Sequence, residues 1–213
     1  MAAVKKFTRR AAYAQLRHIY RQDPHPSNKD IDPARRGLNY DLTPEHGCTA
    51  REYFDRRISQ AYMLPRADVK PLFGWVITRP ADMADEYERP FFEACVSFMA
   101  RRYGESNIVA AVVHRDEAGL PHLHCLITPI VPDDKHIEGI KVCCAAVLTR
   151  RELQAFHKRL QWYLTYKARI PCNVNPKNTN GHGWEVDDVK AEREKVMEMF
   201  GGGIQREPWE VQR

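Results

Sequence analysis

The chain has 213 residues, with 33 Lys and Arg against 28 Asp and Glu, a net charge of +5. Its 43% apolar share suffices for one domain core, and no apolar run approaches membrane-spanning length. The basic first ten residues have no apolar segment after them, which argues against a secretory signal. Six scattered cysteines then fit reduced thiols in a cytoplasm. Residues 1–60 carry 12 Lys and Arg against 7 Asp and Glu, so the whole positive excess lies there and favours a polyanionic partner.

Taken in order, residues 8–20 predict a helix built on Ala11, Ala12, Ala14 and Leu16. Residues 22–37 are rich in Pro, Asp and Asn and predict a structured loop, followed by a short strand at 38–42. Residues 49–63 predict a helix, with Thr49 and Glu52 at capping-box spacing, and 73–78 a strand. Phe91, Phe92, Cys95, Phe98 and Met99 give a helix over 88–103, closed by Gly104. Further helices are expected at 148–168 and 186–200, separated by a polar connection at 173–183 and ended by a Gly triplet at 201–203. Interleaved helices and strands around an antiparallel pair predict an α+β fold, an antiparallel sheet with helices packed on it in two or three layers. The expected division is one domain over 1–185 and a helical extension over 186–213.

The densest chemistry lies between His114 and His124, where three imidazoles and two carboxylates surround one tight connection. Apolar, β-branched runs at 108–113 and 125–131 flank it, which predicts a β-hairpin. Side chains alternate along a strand, so His122 and His124 share a face and His114 sits opposite them. Three neutral imidazoles converging from one side predict a divalent-metal centre with positions left for water and substrate. A lone His-x-His is usually an ordinary packed pair. Here a third His stands eight positions upstream of His122, and Asp116 and Glu117 can orient ligating rings. The six cysteines include no Cys-x-x-Cys pair, so a structural zinc knuckle is not expected.

Three segments, His18 to Arg21, Ser27 to Leu42 and Tyr103 through the His hairpin, resemble in that order those of the HUH single-strand endonucleases, and within them the plasmid mobilisation relaxases of the Pre/Mob (MobV) family. His18-Ile19-Tyr20-Arg21 is similar to that family's His-x-x-Arg motif. The second segment runs from Ser27-Asn28-Lys29-Asp30-Ile31-Asp32 through Arg36 to Leu38-Asn39-Tyr40-Asp41-Leu42. The third leads from Tyr103-Gly104-Glu105-Ser106-Asn107-Ile108 into the hairpin, similar to the family's His-x-Asp-Glu…Pro-His-x-His motif. Between Glu117 and Pro121 stand Ala118, Gly119 and Leu120, where the family pattern has two residues, so the hairpin tip is expected to be longer. The similarity covers roughly residues 8–170.

The resemblance implies nicking of one DNA strand at a transfer origin, through an enzyme linked to the 5′ end, and later resealing. It implies single-stranded origin DNA with an adjacent hairpin as partner, and a conjugation coupling protein. His114, His122 and His124 would hold the cation, with Mn²⁺ preferred and Mg²⁺ or Zn²⁺ open. His18 would be the nucleophile, since an imidazole with an ordinary pKa of about 6.5 is neutral near pH 7. Asp116 or Glu117 would accept a hydrogen bond from its other ring N–H and fix the tautomer. Arg21, with Lys29, Arg35 and Arg36, would grip phosphates, and Tyr40 would contact the scissile phosphate or stack a base. Tyr20, Tyr40, Tyr163 and Tyr166 are rival nucleophiles, although Tyr163 lacks the Lys three residues on that replication initiators of the superfamily would have. The alternatives are such a rolling-circle initiator and a DNA-binding autoregulator without nuclease activity. Relaxases of this type commonly continue well past the catalytic domain, so the chain is expected to be the nuclease portion or a minimal form.

Overall fold

The computed structural model describes residues 2–23, 26 and 28–174. β1 (Ala2–Phe7) leads through Thr8, whose hydroxyl accepts from the Ala11 amide, into α1 (Arg9–Ile19). Ala12, Leu16 and Ile19 recur at helical spacing and form the buried stripe of α1. A 3₁₀ turn (Pro33–Leu38) precedes the two-residue β2 (Tyr40–Asp41). α2 (Ala50–Ser59) starts on the Thr49–Glu52 capping box. β3 (Leu72–Thr78) follows, and then α3 (Glu88–Tyr103), which ends at Gly104 with a φ of +90° that suits only glycine. β4 (Ile108–His114) and β5 (His122–Ile127) form the expected hairpin. β6 (Ile130–Pro132) and β7 (Ile140–Val142) pair as a second one. α4 (Cys144–Val147) and α5 (Arg150–Trp162) come last, and α5 widens into a π turn (Tyr163–Lys167).

Five strands form one antiparallel sheet in the order β1-β3-β5-β4-β2. All of β4 is buried, as a strand covered on both faces must be. On one face Phe7, Val112 and Leu126 join Leu16 and Ile19 of α1 with Phe54 and Ile58 of α2 in one apolar cluster. On the other face Trp75 stacks on Phe156 of α5 with ring centroids 3.5 Å apart, and Phe73 meets Tyr103 of α3 edge-on. The fold is therefore α+β with three layers. Each fully buried phenylalanine, such as Phe54 on one side and Phe98 on the other, contributes about 1.5–3 kcal/mol.

Several features depart from the sequence reading. β1 was not foreseen, because Lys5-Lys6 interrupts its apolar pattern and only its ends, Ala2 and Phe7, are buried. The helix expected over 49–63 stops at Ser59, because Tyr62 leaves it to exchange backbone hydrogen bonds with Ile140 and Val142 beside β7. The strand expected over 38–42 shortens to two residues. The helix expected over 148–168 begins later, at Arg150, where Thr149 caps it by accepting from the Glu152 amide. The helix expected over 186–200 and nearly all of the 173–183 connection lie outside the described residues, as does the 185/186 boundary.

Candidate metal centre and active site

The hairpin register fixes the geometry. His114 pairs with His122, and Val112 with His124, so all three imidazoles stand on the sheet face covered by α1 and α2. Ring centroids lie 4.6 Å apart for His114 and His124, 4.9 Å for His122 and His124, and 5.5 Å for His114 and His122. His18, in the last turn of α1, brings a fourth ring to 5.9 Å from His114 and 5.8 Å from His124.

Hydrogen bonds decide which ring nitrogens are bare. A carbonyl oxygen only accepts, so the 2.9 Å contact from His114 Nε2 to the Ile19 carbonyl puts the proton on Nε2. His114 Nδ1 is then a buried lone pair with no hydrogen-bond partner, 3.4 Å from Glu117 Oε1. His122 Nδ1 likewise donates to the Leu120 carbonyl at 3.3 Å, leaving Nε2 bare and 3.9 Å from Glu117 Oε2. His124 Nε2 is buried without a partner.

Burial lowers the pKa of His18, His122 and His124, and the neighbouring imidazoles push His124 further down. The His114 ring, and then the Arg21 guanidinium, hold the Glu117 carboxyl well below the usual carboxylate range against the opposing effect of burial. Buried ring nitrogens without a hydrogen-bond partner, facing an ionised carboxylate, fit a cation. One donor atom from each of His18, His114, Glu117 and His124 lies within 4.8 Å of the others. This set differs from the expected triad. His18 and Glu117 approach closely enough to join it, while His122, whose ring lies as near to His114 and His124, turns Nδ1 to the Leu120 carbonyl and is not among the four.

Arg21 was expected on a phosphate, and the structure gives it another task. At a φ of +52° just past α1, it donates to both carboxylate oxygens of Asp116 at 2.8 and 2.6 Å and to Glu117 Oε1 at 2.7 Å. It also donates to the His18 carbonyl at 3.1 Å. Burial alone would raise the Asp116 pKa, but hydrogen bonds from Arg21 and Asn39 bring it below its ordinary value. Asp116 is fully buried on these partners, so the carboxylate nearest His18 is Glu117, 3.9 Å from His18 Nε2. The loop also supports Glu117: Asn28 donates to its Oε2 at 3.1 Å, and Ile31 bridges to its backbone.

The tyrosines are not brought into this cluster. Tyr40 pairs with Val113, which alternation puts on the opposite face from His114. There the Arg89 guanidinium lies 5.1 Å over its ring, and burial, then Glu88, push its hydroxyl up to about 12. Tyr40, expected at the scissile phosphate, thus lies on the opposite sheet face from the imidazole cluster. Tyr20 shares a hydrogen bond with Thr43, and Tyr163 packs at 5.5 Å from Phe98 on the α3 and α5 side. Lys29 and Arg35 are exposed on the loop and its 3₁₀ turn, outside the cluster.

A family model, Mob_Pre, described as a plasmid recombination enzyme, matches residues 1–169. A plasmid recombination enzyme of Lactiplantibacillus plantarum is 30% identical over 189 residues, which is 85% of this chain and 50% of that protein. One from Streptococcus agalactiae is 33% identical over 149 residues, 65% of this chain and 28% of that protein. The chain thus spans half or less of the length of these curated relatives. Among solved structures, the MobM relaxase domain, Mn-bound and in complex with plasmid pMV158 oriT DNA, superposes with a TM-score of 0.69 and 28% identity. That match covers 90% of this chain and 97% of the other. The segments that built the centre, from His18 to the His hairpin, all fall within the matched span, and the chain belongs to the Mob_Pre family of plasmid recombination enzymes.

Proposed function

We propose that this chain is a metal-dependent, site-specific single-strand DNA endonuclease and strand transferase, a relaxase, acting in the cytoplasm at the transfer origin of a plasmid or mobile element. The observation that carries the reading is the set of bare, buried ring nitrogens of His114 and His124 beside the half-exposed ring of His18. The likeness to the Mn-bound MobM relaxase domain supports Mn²⁺ and single-stranded origin DNA as its ligands. His114 and His124 would hold the ion, with His122 completing the triad. The bound ion supplies charge neutralisation at the phosphoryl oxygen.

The chain's own groups supply the rest. Burial and the Arg21 charge keep His18 neutral and therefore nucleophilic near pH 7. A ring nitrogen of His18 attacks the scissile phosphorus, and the bond from phosphorus to the 3′ oxygen breaks. The product is a phosphoramidate on the 5′ end, while the leaving oxygen takes up a proton to become a 3′ hydroxyl. Glu117 fits acceptance of a hydrogen bond from the second ring N–H, offsetting the positive charge that this attack puts on the imidazole. Arg21 is a positioning residue that fixes Glu117 and the end of α1 together. The reverse reaction, with the 3′ hydroxyl attacking the phosphoramidate, rejoins the strand.

The test is incubation of the protein and Mn²⁺ with 3′-labelled single strands tiling the transfer region of its plasmid. One of them should give a protein–DNA adduct that survives denaturation. Neither an adduct nor a nick on any of them would overturn the reading.

A further inference from the structure

Two clefts meet at the His18 ring. The larger, of about 500 Å³, is bordered by Lys5, Lys6, Arg17 and Lys70, with Arg21 and the single carboxylate of Asp23. Arg21 is already neutralised by Asp116 and Glu117. Among the described residues none of the other four cations is in an ion pair, and Lys5, Lys6 and Arg17 are exposed. The smaller cleft, of about 340 Å³, runs from His18 past Val76 and Leu126 to His124 and has no carboxylate in its wall. Lys5, Phe7, Gln15 and His18 line both. The result is one continuous track across β1, cationic at one end and apolar at the other, with the His18 ring at the junction.

We propose that Lys5, Lys6, Arg17 and Lys70 form a sequence-independent phosphate track that seats the backbone of the single strand on one side of the bond to be cut. This rests on the relaxase reading and names residues that reading did not use. The argument is one of charge and continuity. A strand reaching His18 through the larger cleft meets four cations that form no ion pair among the described residues, and each phosphate they neutralise releases counterions. Beyond His18 the wall is mostly apolar, with Lys5 as its one cation among the described residues, so bases are a better fit there than phosphates. A rival explanation exists for two of the four. Lysines on an edge strand such as β1 also discourage edge-to-edge pairing between molecules.

The experiment measures binding of the full chain to fluorescein-labelled oligo-dT of about 12 nucleotides, within the usual range of single-strand site sizes. It is done in EDTA, so no cleavage occurs, across a series of salt concentrations. Changing Lys5, Lys6, Arg17 and Lys70 to Gln should lower the salt slope by about 0.7 for each, about 3 for all four. Lys158→Gln, on the exposed side of α5, should leave the slope unchanged. An unchanged slope in the fourfold variant, or no dT binding by the unaltered protein, overturns the proposal. So does a variant that self-associates in size-exclusion chromatography while binding dT normally, since the lysines would then only guard the edge. A protein that fails to nick yet loses dT binding with these changes would refute the relaxase chemistry and leave the track standing.

Discussion

Arg21 and Asp116, 95 positions apart, form a two-pronged ion pair in which the guanidinium side chain is 8% exposed and the carboxylate not at all. The same guanidinium reaches Glu117. Removing one member strands a buried charge, which costs about 3–5 kcal/mol, whereas an exposed pair is worth about 1 kcal/mol or less. Arg21→Ala should therefore lower unfolding stability by about 3–5 kcal/mol in urea titrations. Arg21→Lys should fold but nick more slowly, because an ammonium cannot bridge both carboxylates in the planar fork. A loss below about 1 kcal/mol for Arg21→Ala would mean that the pair is dispensable.

Metal should stabilise the fold through the bare imidazole nitrogens. A ligand at a hundredfold excess over its Kd adds about 2.7 kcal/mol, so Mn²⁺ should raise Tm and EDTA reverse the rise. His114→Ala and His124→Ala should abolish the shift, and His122→Ala should reduce it. Thermal melts with and without Mn²⁺ read this directly. A shift that survives both His114→Ala and His124→Ala would relocate the ion.

Gly74 lies where β3 crosses beneath two packed side chains. A Cβ there would stand 2.6 Å from Leu126 Cδ2 and 3.2 Å from Phe7 Cε2. Gly74→Ala should destabilise by about 1–3 kcal/mol through overpacking, seen as a lower urea midpoint. An unchanged midpoint would mean that Leu126 swings away freely.

His157 straps α5 to the start of β1, its Nε2 3.3 Å from the Ala2 amide nitrogen and 3.1 Å from the Ala2 carbonyl oxygen. Burial lowers its pKa below the ordinary value, so the unfolded chain binds its proton at a higher pH than the folded one. Stability contributed by this group is therefore lost as pH falls below about 6.5 and is complete above it. His157→Gln should flatten the stability-against-pH curve in that window. Curves for the two proteins that run parallel there would show that His157 does not carry the effect.

The His hairpin was legible because two local signals agree. Period-two alternation put His122 and His124 on one face, and the Asp-Glu…Gly…Pro connection fixed His114 across from them. What failed depended on distant partners. The hold of Arg21 on Asp116 joins a helix end to a loop that only the finished fold brings together. The face on which Tyr40 lies follows from its register against β4, which a two-residue strand does not announce. β1 escaped notice because Lys5 and Lys6 break the apolar alternation, and the cationic track they border escaped with it. The bare nitrogen of His114 was also invisible, since it depends on the Ile19 carbonyl.

The attacking atom is the point on which the chemistry turns. Protease digestion of the denatured adduct, followed by mass spectrometry, identifies the peptide and side chain that carry the nucleotide. The expected result is an oligonucleotide on His18 through an acid-labile phosphorus–nitrogen bond, with no adduct in His18→Ala and normal adduct in Tyr40→Phe. An acid-stable phosphodiester on Tyr40, Tyr163 or any other tyrosine would contradict the account.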